Sequence, residues 1–344
     1  MKWFLFSILL IIVGCNKADK NLISFDLSQR LNSKSYQKAG NLKLTVIEEV
    51  RLEEDILLNS YPSLFYVSDS LFGIVDWKRI LFVHRESGRL FSEISHIGRG
   101  PSEYLYPQVV TVRDTIVAIS DNPELGKVVF YSLKGEFLSV KKIPTNSLFQ
   151  FFGSGQYALT YNNYANNSLD LFADDDKHIR GSKIESGPQI TGYAYLTLLS
   201  TANNEYILKP ALRDTIFRVS IHGDEPWIVL NKGQYLMPDE YYDTWANYSN
   251  NKDRYINLEN VHIAGNHAFV SFQYGREEHH EIWDIEKEEL VFKSAQGEEV
   301  ISSFGPLIES SDGAIPFWPL FVSGKDMFSI FGEESPRIIR VRMK

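Results

Sequence analysis

A spacing that occurs twice constrains this chain more than any other feature. Asp69 and Asp114 are 45 residues apart, and so are Asp76 and Asp121. The same order of residues recurs around them. One unit runs from Asp69 through Leu71–Asp76 to Ile80–His84, then Gly88 and Leu90-Phe91. The next runs from Asp114 through Ile116–Asp121 to Val128–Tyr131, then Gly135 and Phe137-Leu138. Each reads as a strand, a turn at Asp, a second strand, a Gly-centred hairpin and a third strand. Weaker units follow at 151–184, 193–237, 257–293 and 300–342, which makes six units of about 35–50 residues. That period is the length of a propeller blade.

The strands inside the units carry the same message. Ile80-Leu81-Phe82-Val83 and Lys127-Val128-Val129-Phe130-Tyr131 do not alternate apolar with polar residues, so they read as strands buried on both faces. A middle strand of a blade is covered on both sides only if the blades stand in a closed ring. The expected fold is therefore all-β, a six-bladed β-propeller over residues 41–344 preceded by a lipoprotein signal peptide. Leu44-Thr45-Val46-Ile47 is expected to lie beside Ile338–Val341 and close the last blade. One segment breaks the pattern: Pro238 and the acids after it open a helix-like run in which Tyr241, Trp245 and Tyr248 share one face. It reads as a helical insertion near 238–250, between blades 4 and 5, packing that face over the ring.

The N-terminus determines where such a ring resides. Lys2 is followed by the apolar run Trp3–Val13, eleven residues long and too short to span a bilayer. Ile12-Val13-Gly14-Cys15 then places a small residue before the only cysteine of the chain. This is the pattern of a secretory signal ending in a lipobox, with residues 1–14 removed and Cys15 acylated, palmitate being one of its chains. Residues 15–40 read as the lipidated cysteine and a tether. Two or three acyl chains hold a protein firmly where one does not, so the expected location is the outer membrane of the cell envelope, with either face open. The chain is acidic, net −9 over its 344 residues, and lacks the basic footprint that nucleic-acid binding needs.

Three segments resemble a known family. Gly98-Arg99-Gly100-Pro101-Ser102-Glu103-Tyr104 is similar to the Gly-x-Gly-Pro-Gly-Glu-Tyr signature of six-bladed β-propeller lipoproteins of Bacteroidota, with Ser102 in place of the third glycine. Asp214-Thr215-Ile216-Phe217 resembles that family's Asp-Thr-Ile-Tyr repeat, and Val50-Arg51-Leu52-Glu53 its early strand. The resemblance covers nearly the whole mature chain. It implies a fold and an envelope location, and little about activity.

The candidate chemistry is sparse. The loop at 98–101 lacks the Lys-Ser/Thr end of a phosphate cradle and reads as an inter-blade turn, with Arg99, Glu103 and Tyr104 as candidate residues of the channel mouth. Glu277-Glu278-His279-His280-Glu281 has no metal-site spacing, because neighbouring strand residues face opposite ways; it reads as a solvated hairpin. His262 and His267 flank Gly265-Asn266, a two-residue turn that sets His262 opposite Phe269 and His267 opposite Ala264. Asp174-Asp175-Asp176 reads as a solvated acidic turn. Trp283-Asp284 matches the WD dipeptide once only, and Ser310-Ser311-Asp312-Gly313 reads as a blade turn. Gly153-Ser154-Gly155 is not a nucleophile elbow, since Phe152 stands where a glycine is needed. No cofactor, metal or catalytic set emerges. The expected function is a non-enzymatic binding or scaffold propeller, anchored by Cys15, with a glycan, peptide or envelope protein as ligand. The alternative is a metal-assisted hydrolase or lyase with its site in the channel.

Overall fold

The computed structural model describes residues 22–28, 31, 36–37, 42–59, 61–161, 169–182, 184, 197–200, 206–210, 213–294, 305–332 and 335–343. Among the described residues there are seven sheets: six blades follow one another around a ring, each built on an antiparallel meander, and a two-stranded hairpin of Leu307–Ser310 and Gly313–Pro316 packs beside the last blade. Blade 1 comprises Ser63–Val67, Leu71–Asp76, Arg79–His84 and Leu90–Ile94. Blade 2 comprises Val109–Arg113, Ile116–Ser120, Lys127–Ser132 and Phe137–Lys142, and blade 3 Ser147–Phe151, Gln156–Tyr161, Leu169–Ala173 and His178–Gly181. Blades 4 and 5 run from Thr197–Ser200 to Asp224–Asn231 and from Asn257–Ala264 to Glu289–Lys293. Blade 6 takes Phe321–Ser323, Asp326–Phe331 and Arg337–Met343 from the C-terminus and Leu44–Arg51 from the N-terminus. In that last pairing Val341 faces Val46 and Ile338 faces Val50.

What holds the ring is packing between blades. The non-alternating strand of blade 1 shows why it has no polar face: Ile80 and Phe82 pack with Val117, Ile119 and Val129 of blade 2, while Leu81 and Val83 pack with Phe328 and Ile338 of blade 6. Such cores fill all six junctions between neighbouring blades. Each fully buried Phe, Leu or Ile stabilises by roughly 1.5–3 kcal/mol relative to exposure. No blade buries both faces of its middle strands without a neighbour.

Two sequence readings are revised. Part of the stretch read as a tether is structure: Ile23–Asp26 adds a parallel strand to the outer edge of blade 4, and Tyr36–Gln37 pairs with the outer strand of blade 5. The reason is alternation in Ile23-Ser24-Phe25-Asp26, which turns Phe25 fully inward to stack on Trp283 with ring centroids 4.9 Å apart. The N-terminal chain thus supplies the outermost strand of three successive blades, covering edges that would otherwise be open. The second revision concerns the insertion. The α-helix is Trp245–Asn251, entered through Thr244, whose Oγ1 accepts from the Asn247 amide at 3.1 Å; Asp239–Tyr242 is a separate 3-10 turn. This break in the helix rotates the inward face, so Tyr242 and Tyr248 are buried with Met237, and Trp245 is 47% exposed.

Candidate binding channel

In an antiparallel meander, the turn between the second and third strands of a blade and the link to the next blade lie at the same end of the ring. The repeated aspartates build that end. Asp76 and Asp121 each close the second strand of a blade and are fully buried. Asp76 Oδ1 accepts from the Asn59 amide at 2.8 Å and from Asn59 Nδ2 at 2.9 Å. Asp121 Oδ1 accepts from the amides of Leu105 and Tyr106 at 2.8 and 3.0 Å. A buried carboxylate needs such donors, and here they come from the link entering the same blade. The 45-residue spacing therefore records a device that locks each incoming link.

The signature loop is a second device at this end. The Glu103 carboxylate folds back to accept from the Gly100 amide at 2.6 Å. A Cβ on Gly98 would collide with Glu103 Oε2, and one on Gly100 would come within 2.9 Å of it, which explains both glycines by close approach. Tyr104 is fully buried, its hydroxyl donating to the carbonyls of Lys78 and Ile94 at 2.6 and 2.8 Å. Burial pushes the phenol well above its usual range. Lys127 Nζ donates to the Glu103 carbonyl at 2.6 Å and lies 3.4 Å from Asp121 Oδ2. Of the three candidate mouth residues, Glu103 and Tyr104 are thus anchors of the loop and Arg99 is exposed; the channel wall is formed by other side chains.

That wall takes residues from all six blades around a cavity of about 670 Å³. Its charged groups, Arg113 and Glu259, are paired with residues that do not themselves line the cavity. Arg113 donates to both oxygens of Asp174 at 2.9 and 2.8 Å. Glu259, on the inner strand of blade 5, meets Lys232 at 2.6 Å and Lys209 at 3.0 Å, and Lys232 also meets Asp214 at 2.9 Å. Burial disfavours the Glu259 carboxylate, but the two ammonium groups outweigh it and hold its pKa at about 2. Lys232 is likewise held above the usual lysine range, Glu259 and Asp214 outweighing its burial. His262 lies on the same strand, 3.3 Å from Asn260 Nδ2. Burial lowers its pKa to about 4, so its imidazole is neutral at physiological pH. Sequence reasoning did not single out Glu259, Lys209 or Lys232. The available signal was a lone lysine ending each apolar run, Tyr206-Ile207-Leu208-Lys209 and Ile228–Lys232.

The remaining candidates fall elsewhere. Cys15 lies outside the described residues. The segment read as a solvated hairpin is solvated only at Glu277 and Glu278; His279, His280 and Glu281 are buried in blade 5. His279 stacks on Phe272 with centroids 5.0 Å apart and planes within 3°, and His280 packs edge-on against Trp318. Aromatic neighbours on both sides of the strand, invisible in the local sequence, make the difference. His262 faces Phe269 and His267 faces Ala264. The acidic turn is taken up by cations of the neighbouring blade, Asp174 by Arg113 and Asp176 by Lys141. Asp284 of the Trp-Asp pair accepts from Asn266 and Lys287 within blade 5. Asp312 of the Ser-Ser-Asp-Gly turn pairs with Arg51 and Arg337. Among the described residues, no three His, Cys, Asp or Glu side chains are placed to share a metal ion, and no helix is long and apolar enough to cross a membrane.

Residues 22–335 match the family model of a domain of unknown function, DUF4934. No curated protein matches the sequence. The fold is similar to that of a Bacteroides fragilis protein inferred to be exported, with 15% identity, a TM-score of 0.65, and 94% of this chain and 99% of that one covered. It is also similar to a DUF4221 family member from Bacteroides vulgatus, with 9% identity, a TM-score of 0.54, and 89% and 99% covered. At such identities the likeness is one of fold.

Proposed function

This chain belongs to the DUF4934 family of β-propellers, and from that premise we propose that it is a recognition module of the outer membrane, anchored through acylated Cys15, which binds its ligand at the channel and does not turn it over. One observation carries the reading: the carboxylate and imidazole on the inner strand of blade 5 are held by their neighbours, Glu259 by the ammonium groups of Lys209 and Lys232 and His262 beside Asn260. A general acid or base works best with a pKa near the operating pH. Glu259 at about 2 and His262 at about 4 sit far below it, as a carboxylate tied to two lysines and a neutral imidazole. Such groups hold and orient a ligand rather than exchange protons with it. The export inferred for the Bacteroides fragilis protein of similar fold agrees with an envelope location, and the Gly14-Cys15 junction supplies the anchor.

Two measurements test this. Mass spectrometry of the chain purified from membranes is expected to find an N-terminal acylated Cys15; a free thiol there, or retention of residues 1–14, rejects the anchor. Incubation of the purified protein with candidate glycans, peptides and envelope fractions is expected to show retention without products; release of cleaved product, abolished by a chelator, would instead favour the metal-assisted enzyme.

A further inference from the structure

The locked links at the mouth do more than fix the ring: they hold out aromatic rings. Tyr61-Pro62 and Tyr106-Pro107 stand at the same place in blades 1 and 2, 45 residues apart. Each tyrosine follows or occupies the backbone gripped by a buried aspartate, Asp76 through Asn59 and Asp121 through Tyr106 itself. Pro107 and Ser63, the next residues inward, already line the channel. Tyr61 is 94% exposed and Tyr106 44% exposed. Between these links stands the turn Trp77-Lys78. Arg79 Nη2 donates to the Leu57 carbonyl on one side at 2.6 Å, and Lys78 Nζ lies 4.0 Å from the Tyr106 ring centroid on the other.

Trp77 is the unexpected member. It is 70% exposed, so burial does not explain it, and its φ is +58°, a left-handed conformation that is unfavourable for a bulky side chain. The equivalent hairpin of blade 5, between its second and third strands, places Gly275 at positive φ. An exposed indole kept at a strained backbone position points to a use outside the fold.

We propose that Tyr61, Trp77 and Tyr106 form a stacking platform leading into the channel, and that its ligand is an uncharged oligosaccharide. This rests on the reading of the channel as a binding site. Pyranose rings present C–H faces that meet the electron-rich faces of Trp and Tyr, and exposed rings on locked links lose little entropy on binding. The channel beyond offers Gln108, Thr111, Asn260 and neutral His262, groups that can both donate to and accept from hydroxyls. Its charged members are already neutralised, Arg113 by Asp174 and Glu259 within a balanced set with Lys209, Lys232 and Asp214, so the wall does not call for a charged ligand.

The test uses the full acylated chain in detergent, screened against immobilised hexasaccharides of glucose, mannose, xylose and N-acetylglucosamine, an oligogalacturonate, and a set of proline-rich peptides. Retention of a neutral hexasaccharide is expected, accompanied by a change in tryptophan fluorescence. Trp77→Asn and Tyr106→Ala are expected to weaken it at least tenfold, and Trp245→Ala on the insertion to leave it unchanged. Asn tolerates a left-handed backbone, so Trp77→Asn should keep or raise the melting temperature, separating lost binding from lost folding. Retention of a peptide alone, of the oligogalacturonate alone, or of nothing in the panel overturns the ligand class. Retention of a neutral sugar that is indifferent to Trp77→Asn and Tyr106→Ala overturns the platform. Cleavage of a retained sugar sensitive to both variants supports the platform and refutes the non-enzymatic reading.

Discussion

At the scale of single residues, the chain buries several ionisable groups and handles them in two ways. Lys232 and Glu259 keep their charges because each has opposite charges within 3.0 Å. Removing one partner of such a buried set is costly, since the other charge is left without compensation. His279 is handled by remaining neutral: burial against Phe272 is the main cause that lowers its pKa to about 4. The unfolded chain then takes up a proton near pH 6.5 and the folded chain only near 4. Folding stability is therefore expected to fall as pH drops from about 6.5 to about 4, by up to about 3 kcal/mol from this residue. Urea unfolding of the wild type and His279→Phe at pH 7 and pH 4.5 checks this. The variant should show the shallower pH dependence, and equal slopes would count against it.

Elements here are defined as much by their turns as by their strands. The loop 98–104 has a carboxylate where two glycines leave room for it, so its cost structure is pairwise. Gly98→Ala forces methyl against carboxylate and is expected to destabilise by about 1–3 kcal/mol. Glu103→Ala removes the obstacle and the bond to Gly100 together. In that background the added methyl should cost much less, a coupling that a double-mutant cycle in urea reads directly. Additive effects would mean that the two side chains do not meet. The insertion shows the same principle. Thr244 as a helix cap, rather than Pro238 as a helix start, decides which tyrosines turn inward.

For the whole molecule, closure is the organising fact. Blade 6 joins the two ends of the chain, and ion pairs such as Arg85–Glu48, Arg113–Asp174 and Arg180–Asp224 bridge neighbouring blades. These pairs are partly buried, so desolvation offsets much of their attraction, and the apolar cores at the junctions carry most of the stability. Truncation of everything before Leu52 would strip the fourth strand from blade 6 and unpair the edge of Arg337–Met343. An unpaired edge invites intermolecular pairing. The same truncation uncovers the outer edges of blades 4 and 5, so the truncated chain is expected to elute as larger species than the full chain in size-exclusion chromatography with light scattering, and a peptide of residues 22–51, which carries all three strands, to reverse the shift. Unchanged elution would show that the closing strand is dispensable.

Much of this was legible locally. The six-unit period, the two-faced burial of Ile80–Val83 and the register around Gly265-Asn266 follow from pleat alternation and turn chemistry, which act over a few residues. The outer strand at Ile23–Asp26 was missed because four residues carry too short a pattern to outweigh their place near the N-terminus. His279 and Glu281 look exposed among acids, and only the neighbouring strand and Trp318 bury the segment. The pairing of Glu259 with Lys209 and Lys232, and the approach of Lys78 to the Tyr106 ring, join residues from separate turns or blades. Local chemistry therefore determined the repeat and the closed ring, whereas the channel and its mouth were decided by closure, which sets distant side chains a few ångströms apart without marking any of them in the sequence.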